Sequence, residues 1–215
     1  MTQIKVISLD LEGTLVTPKF SDTVWNTEIP RLFSEAHGLT LEDSTKYVLS
    51  AYREIGEHRL EWYDIKYWFD RFGLNGHLGL LNGSKREISY YEDAEPALAQ
   101  LCSRFKLVIA SNSSRDFLDL LLGKMRSYFS TTFSSISDFG IIKTPEFYLR
   151  ICEALTAAPE EVIHIGDNWT FDYLAASDAG ITAFHLDRQA RLPEEPTVSD
   201  LRQFASRIEA LAGDQ

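Results

Sequence analysis

Four short runs of apolar and β-branched residues recur along the chain. Each run is too short for an ordinary helix and is apolar at nearly every position, which is typical of a strand buried on both faces of a sheet. The pattern therefore predicts four buried parallel strands, over residues 4–9, 107–110, 162–165 and 182–186.

Apolar residues between these runs recur at spacings of three and four, the period that places them on one face of a helix. The pattern predicts helices over residues 90–105, 115–125, 145–155, 171–179 and 200–211. Thr144 and Pro145 mark the start of one of them, since Thr caps helices and Pro suits the first helical position. Residues 191–197 are expected to form a surface connection before the last helix. Strands that alternate with helices indicate an α/β fold.

The segment from residue 18 to residue 89 interrupts this alternation. It contains successive amphipathic helical patterns, over residues 22–37, 42–58 and 60–74, and no convincing strand. We therefore predict an α/β core formed by residues 1–17 and 90–215, and an inserted helical domain formed by residues 18–89. Most aromatic residues of the insertion are expected in its own core, with one or two facing a ligand: Trp25, Trp62, Tyr63, Tyr67, Trp68 and Phe69.

Charge and composition exclude several classes of partner. The 215 residues are 44% apolar, enough to bury a sizeable core, and 32 acidic against 21 basic residues give a net charge of -11 at pH 7. This charge repels phosphate backbones and anionic lipids, so we expect neither a nucleic acid nor a membrane as partner. No apolar run approaches the ~20 residues of a spanning helix, and the chain begins without a leader pattern. We therefore expect a cytoplasmic protein.

Three residues with reactive side chains are expected to be structural. Cys102 and Cys152, the two cysteines of the chain, lie in apolar helical patterns and are expected to be reduced core residues. His164 lies inside a predicted strand, where a buried histidine with satisfied hydrogen bonds is a better interpretation than a metal ligand.

Polar residues follow the predicted strands, at the place where parallel sheets bind their ligands. They form four groups: Asp10, Glu12 and Thr14; Ser111 and Asn112; Lys143; and Asp167, Asn168 and Asp172. Together they supply what phosphoryl transfer needs. One carboxylate can attack phosphorus, a second can move a proton, a lysine and a hydroxyl can hold phosphate oxygens, and further carboxylates can retain Mg²⁺.

The stretches DLEGTL, ASNSS, IIKTPEFY and HIGDNWTFD resemble, in this order, the four motifs of the haloacid dehalogenase-like hydrolase superfamily. The resemblance runs from the first strand nearly to the last one. The inserted helices resemble the cap of that family, which covers the active site and selects substrates. The resemblance implies a doubly wound, Rossmann-like parallel sheet of at least five strands, with a further strand near residues 133–136.

The resemblance also implies how individual residues act on a substrate. Asp10 would be the nucleophile that forms a phosphoaspartyl intermediate, and Glu12 would be the general acid and base. Ser111 and Lys143 would hold the phosphoryl group. The substrate-binding set is completed by two supporting hydrogen-bond partners, Thr14 and Asn112.

A Mg²⁺ site follows from the same resemblance. Asp10, the backbone carbonyl of Glu12 and Asp167 would bind the ion. Asp172 would support the metal through water or through a neighbouring ligand.

These roles predict a Mg²⁺-dependent phosphatase that hydrolyses a small phosphorylated metabolite, a phosphomonoester. Phosphatases of the family usually carry Asp two residues after the nucleophile, whereas this chain has Glu12, which keeps open a binding or regulatory protein without turnover. A 2-haloacid dehalogenase is a second alternative, although it needs no metal and GDNWTFD retains the acids of a metal site. A phosphotransferase is a third, because the acceptor that reaches a phosphoaspartate decides its fate.

Overall fold

The computed structural model describes residues 3–189 and 196–213 and has the predicted α/β fold. Within these residues, six parallel strands form one sheet: β1 (Val6–Leu9), β2 (Lys106–Ser111), β3 (Thr131–Ser134), β4 (Val162–Gly166), β5 (Thr182–Leu186) and β6 (Thr197–Val198). Their order in the sheet is β3-β2-β1-β4-β5-β6. Because the winding reverses at β1, the carboxyl ends of β1, β2 and β4 open onto one crevice.

Helices follow the strands and fill the long connection after β1. Five of the described α-helices lie in the inserted part of that connection, residues 18–89: α1 (Lys19–Thr23), α2 (Ile29–His37), α3 (Leu41–Ile55), α4 (Ile65–Arg71) and α5 (His77–Ser84). The others are α6 (Ala94–Leu101), α7 (Arg115–Leu122), α8 (Ser135–Phe139), α9 (Pro145–Leu155), α10 (Ala175–Asp178) and α11 (Leu201–Gly213). None of the described helices combines the length and the apolarity that crossing a bilayer requires.

The two faces of the sheet are covered by different helices. Alternate residues of a strand point to opposite faces, so Ile7 and Val6 enter separate apolar clusters. The cluster around Ile7 includes α6, α7 and α11 and continues through the inserted helices, from Phe20 of α1 to Leu81 of α5. The cluster around Val6 joins the sheet to α9 and α10. Burial on both faces explains why the strands are apolar without alternation.

The helical insertion between β1 and β2 is confirmed, and it contains one helix that the apolar pattern does not indicate. This helix, α5, is only eight residues long and includes Gly79 and Gly83, so its amphipathic period is weak.

Two π-helical turns, Val24–Glu28 and Trp169–Leu174, precede α2 and α10. The second replaces the first part of the helix predicted over residues 171–179.

Three local predictions differ from the structure. Cys102 is exposed, because α6 ends at Leu101 and the cysteine lies beyond its buried face, whereas Cys152 is buried as predicted. The helix that begins at residue 115 ends early, because Gly123 takes a positive φ of 41°. In the connection predicted over residues 191–197, Thr197 is buried in β6, and residues 191–195 lie outside the described part of the chain.

Candidate active site

The centre of the crevice is a buried lysine between two aspartates. Lys143 follows α8, and its Nζ lies 2.6 Å from Oδ1 of Asp10, the residue directly after β1. The same Nζ donates to Oδ1 of Asp172 and, at 3.3 Å, to the carbonyl oxygen of Ala110. One lysine therefore pairs with two carboxylates, one directly after β1 and the other in the helical turn Trp169–Leu174 that follows β4.

A third carboxylate completes an acidic cluster. One ligand oxygen from each of Asp10, Asp167 and Asp172 lies within 4.8 Å of the other two. Burial raises the pKa of Asp10 to about 7, although the charge of Lys143 acts in the opposite direction. Burial and the negative charge of Asp172 also raise the pKa of Asp167. One lysine is thus too little positive charge for three ionised carboxylates. A divalent cation would fit this set, because carboxylate oxygens are preferred ligands of Mg²⁺.

Glycine is required where the strand ends approach these acids. Gly13 has a φ of 80°, and a Cβ at this position would overlap the carboxylate of Asp167. A Cβ at Gly166 would overlap the carboxyl carbon of Asp172. The glycines of the first and last motifs therefore allow backbone and acid to lie in direct contact.

Asp172 is held by the surrounding protein. Its Oδ2 accepts a hydrogen bond of 2.9 Å from the backbone N–H of Asn168, and its Oδ1 lies 3.1 Å from Nε2 of His164. His164 is fully buried, and its Nδ1 lies 2.9 Å from Oγ of Ser8, so both ring nitrogens have partners. Burial alone would raise the pKa of Asp172, but Lys143 and His164 hold it well below its usual range. Asp172 is therefore an ionised, fixed carboxylate.

Glu12 points into the same crevice and is reached by the insertion. Its Oε2 accepts a hydrogen bond from Oγ of Ser21 on α1. Burial raises the pKa of Glu12 to about 7, although the bond from Ser21 acts in the opposite direction. A carboxyl with a pKa near 7 can hold and release a proton at neutral pH, as a general acid and base must.

The second motif lies beside Lys143. Ser111 is buried at the end of β2, and its Oγ accepts from the backbone N–H of Ser113 at 3.1 Å. Asn112 Oδ1 accepts from Oγ of Ser135 at 2.7 Å and from the backbone N–H of Lys143 at 2.8 Å. Asn112 thus ties the second motif to the third.

Thr14 is the one predicted site residue that lies outside the cavity lining. Its side chain is fully buried, and its Oγ1 has no hydrogen-bond partner among the described residues. Thr14 follows the turn at Gly13 and does not line the crevice that Asp10 and Glu12 share, so its supporting role stays a prediction.

The predicted residues of the four motifs, Thr14 excepted, line one cavity of ≈ 510 Å³ between the strand ends and the inserted helices: Asp10, Glu12, Ser111, Asn112, Lys143, Asp167 and Asp172. The insertion contributes Ser21, Trp25, Arg53, Trp62 and Tyr63, among others. Trp68 and Phe69 are buried in the insertion, as expected for most of its aromatic residues.

Sequence patterns alone do not indicate two residues that shape the site. Ser21 reaches Glu12 only through the packing of α1, for which no local signal exists. Arg188 donates to the carbonyl oxygens of Thr14 at 2.7 Å and Gly13 at 3.3 Å. Its position just beyond β5 is the signal that could have drawn attention to it, because the other site residues also follow strands.

A curated relative is similar in sequence to part of this chain. The GMP/IMP nucleotidase YrfG of Escherichia coli (strain K12) is 28% identical over 72 residues, which cover 34% of this chain and 32% of that protein. The match thus spans about a third of either protein.

Two solved structures share the fold. A HAD phosphatase from Thermococcus onnurineus superposes with a TM-score of 0.85 at 21% identity, over 95% of this chain and 98% of that one. A 2-haloacid dehalogenase from Pseudomonas syringae pv. Tomato DC3000 superposes with a TM-score of 0.68 at 18% identity, over 98% and 100%. A family model, that of the haloacid dehalogenase-like hydrolases, matches residues 4–180. Because this match covers most of the chain, the protein belongs to the haloacid dehalogenase-like hydrolases.

Proposed function

We propose that the protein is a Mg²⁺-dependent phosphatase that hydrolyses a small phosphomonoester through a phosphoaspartyl intermediate on Asp10. The observation that carries this proposal is the acidic cluster, in which one oxygen from each of three carboxylates lies within 4.8 Å of the other two and two of the carboxylates pair with one buried lysine. Such a cluster repels a phosphate dianion unless a cation offsets its charge. With a bound divalent cation the three carboxylates and Lys143 would together be neutral, so the cluster would no longer repel the phosphate.

The donor set fits Mg²⁺, with different parts for the three acids. Asp10, Asp167 and the backbone carbonyl of Glu12 would hold the ion. The oxygens of Asp172 already accept hydrogen bonds from Lys143, from the His164 ring and from the Asn168 backbone. Asp172 would therefore support the site through these contacts rather than as a direct ligand of the ion. When bound, Mg²⁺ supplies positive charge that offsets the carboxylates and the phosphoryl oxygens.

The first half-reaction transfers the phosphoryl group to Asp10. A carboxylate oxygen of Asp10 attacks phosphorus, and the bond between phosphorus and the oxygen of the leaving alcohol breaks. Glu12 donates its proton to that oxygen, so a neutral alcohol departs. Lys143 and Ser111 hold the phosphoryl oxygens during transfer.

The second half-reaction returns the enzyme to its starting state. Glu12, now a carboxylate, takes a proton from a water molecule whose oxygen attacks the phosphorus of the phosphoaspartate. The bond between phosphorus and Asp10 breaks, and inorganic phosphate leaves. Glu12 regains its proton, so one phosphomonoester and one water give one alcohol and one phosphate.

The alternatives are less well supported. A dehalogenase has no use for a proton donor such as Glu12 or for the acidic cluster, and the likeness to the Pseudomonas syringae enzyme at 18% identity shows the fold alone. A binding protein without turnover needs no nucleophile–lysine pair. The similarity to a nucleotidase that acts on GMP and IMP makes nucleoside monophosphates the first substrates to test.

Phosphate release from a panel of phosphorylated metabolites, with Mg²⁺ or with a chelator, tests this function. We expect release that requires Mg²⁺ and that falls by about a thousandfold or more in Asp10→Asn, since the amide keeps the shape but cannot attack. The control Asp70→Asn changes an exposed aspartate of α4 and should retain activity. Undiminished release by a folded Asp10→Asn, or release of chloride from 2-chloropropionate without metal, would contradict the proposal.

A further inference from the structure

The insertion side of the cavity carries a continuous aromatic surface. The ring of Trp25 stacks on Phe117, with centroids 5.3 Å apart and planes inclined by 5°. Tyr52 meets Trp25 edge-on at 5.9 Å, and Trp62 meets Tyr52 edge-on at 6.3 Å. All four rings line the cavity, and Trp25 and Trp62 remain partly accessible. Aromatic surface of this kind binds flat apolar groups.

Arg53 of α3 lines the same side of the cavity. Within residues 3–189 and 196–213 its side chain has no hydrogen-bond or ion-pair partner. The other basic residue of the lining, Lys143, is bound to Asp10 and Asp172. Arg53 is therefore the lining cation that is left to meet a ligand.

The neighbouring basic side chains of the insertion differ from Arg53 in this respect. Arg59 pairs with Glu61 at 2.8 Å, and Arg71 pairs with Glu54 at 2.7 Å. Lys66 pairs with Asp116 at 3.1 Å. None of these three basic residues lines the cavity. Among the four, Arg53 is the one that lines the cavity and has no partner.

Two acids limit the charge that this side of the cavity can accept. Asp22 and Glu57 line it together with Arg53, so two carboxylates accompany one guanidinium. A second phosphate on the substrate would meet net negative charge there and would be repelled. An uncharged group with hydrogen-bond acceptors fits Arg53, because guanidinium offers five donors and no acceptor.

We propose that the insertion side of the cavity is a subsite for a leaving alcohol that carries a flat heteroaromatic ring. Trp25 and Trp62 lie against the ring, and Arg53 donates to acceptor atoms on its edge. The proposal rests on the phosphatase function and deepens it, since it assigns the substrate class to nucleoside monophosphates rather than sugar phosphates. A guanidinium fork matches two adjacent acceptors such as O6 and N7 of a 6-oxopurine, whereas the 6-amino group of adenine presents a donor.

Kinetics with three substrates test the subsite. Inosine 5′-monophosphate has the ring and both acceptors, adenosine 5′-monophosphate lacks one acceptor, and ribose 5-phosphate lacks the ring. For the parent enzyme we expect kcat/KM to fall in this order, by about tenfold for the loss of one hydrogen bond to a charged donor. Arg53→Met should reduce the ratio of inosine monophosphate to ribose phosphate by about tenfold or more.

Matched variants separate the subsite from general effects. Arg59→Met removes a paired guanidinium outside the cavity and should leave the substrate ratio unchanged. Trp62→Leu removes aromatic surface without removing charge, and should reduce the same ratio by weakening binding of both nucleotides. Equal kcat/KM for all three substrates, or an unchanged ratio in Arg53→Met, would overturn the subsite while leaving the phosphatase function intact.

Binding distinguishes failure of the subsite from failure of the phosphatase function. Calorimetry with Asp10→Asn and Mg²⁺ measures the affinity for intact inosine monophosphate and ribose phosphate without turnover. Tighter binding of inosine monophosphate that Arg53→Met abolishes supports the subsite even if the parent enzyme hydrolyses neither compound, and that absence of hydrolysis would reject the phosphatase function. Equal affinity for the two compounds overturns the subsite.

Discussion

Lys143 Nζ lies 2.6 Å from Oδ1 of Asp10, and only 4% and 8% of the two side chains are exposed. Buried charges are strongly penalised unless they are paired, so the lysine favours the ionised nucleophile in a crevice where burial and two further acids raise the pKa of Asp10. The pair joins residues 133 positions apart in the chain and links β1 to the segment before α9. The ion pair therefore contributes both to the stability of the fold and to the ionisation of the proposed nucleophile.

Lys143→Met should destabilise the protein as well as inactivate it. Removing one partner of a buried ion pair costs about 3–5 kcal/mol, because the other charge is left buried and uncompensated. We expect part of this loss to be recovered with Mg²⁺, which supplies positive charge at the same cluster. Urea unfolding with Mg²⁺ or with a chelator measures both effects.

Lys46→Met is the control for this change. Lys46 forms an exposed ion pair with Glu42 at 2.6 Å on α3, which contributes only about 0.5 kcal/mol or less. If Lys143→Met and Lys46→Met had the same free energy of unfolding in chelator, the structural part of the Lys143 role would be wrong.

Glu12→Gln should lose turnover in proportion to the need for a proton on the leaving group. Acid catalysis contributes about 10²- to 10⁴-fold, so we expect a loss of that order with an alkyl phosphate and a much smaller loss with nitrophenyl phosphate, whose leaving group scarcely needs protonation. Steady-state rates with the two substrates give the comparison. Equal losses on both would remove Glu12 from the proton-donor role.

Glu12→Asp tests the length of the side chain. The carboxyl of Glu12 is held by Ser21 from the insertion, and the shorter aspartate would withdraw it from that partner. A displacement of about 1 Å can reduce rate by roughly a hundredfold, so Glu12→Asp should bring no gain. A faster Glu12→Asp would show that the longer side chain is a handicap.

The sequence predicts those parts of the site that depend on strand ends. Asp10 and Asp167 follow β1 and β4, which are neighbours in the sheet, so a parallel α/β topology is enough to bring them together. Lys143 is indicated both by its place among these polar groups and by the resemblance of its motif, and the structure places its ammonium group between Asp10 and Asp172.

Contacts between the insertion and the core could not be predicted in the same way. Ser21 and Arg53 enter the cavity because of the way α1 and α3 pack over the strand ends, and helical periodicity specifies only which face is buried. The sequence pattern also does not indicate that Thr14 lies outside the cavity lining. The turn after β1 depends on the positive φ of Gly13, and this turn removes Thr14 from the crevice that Asp10 and Glu12 share.

Gly13→Ala should weaken the metal site. An alanine at a φ of 80° is strained by about 1–2 kcal/mol, and its Cβ would also displace the carboxylate of Asp167. We expect the concentration of Mg²⁺ needed for half-maximal activity to rise about tenfold or more, because a misplaced ligand is held less well. Titration of phosphate release with Mg²⁺ measures the change.

Gly76→Ala supplies the matched control. Gly76 has a φ of 84° and nothing within 4 Å of the position of a Cβ, so alanine there adds backbone strain without a clash. Gly76→Ala should therefore lower the free energy of unfolding without changing the Mg²⁺ requirement. The same Mg²⁺ requirement in Gly13→Ala and Gly76→Ala would show that the contact of Gly13 with Asp167 does not position a metal ligand.

Arg188 provides the last test, because it fixes the turn that carries Glu12. Its guanidinium binds both carboxylate oxygens of Asp93 at 3.1 Å, lies 3.6 Å from the centre of the Tyr91 ring and donates to the carbonyl oxygens of Gly13 and Thr14. Lysine keeps the charge but cannot form this planar fork. Arg188→Lys should therefore loosen the turn and misplace the carboxyl of Glu12.

Loosening of the turn predicts a leaving-group effect that a purely structural role would not produce. Arg188→Lys should lose about tenfold or more with an alkyl phosphate and much less with nitrophenyl phosphate, as expected for a misplaced proton donor. Arg126→Lys is the control, since Arg126 donates at 2.7 Å to the carbonyl oxygen of Phe129, outside the cavity. In the double variant Arg188→Lys with Glu12→Gln, the two effects should not add, because both act on the same proton transfer. Additive losses would mean that Arg188 acts through some group other than Glu12.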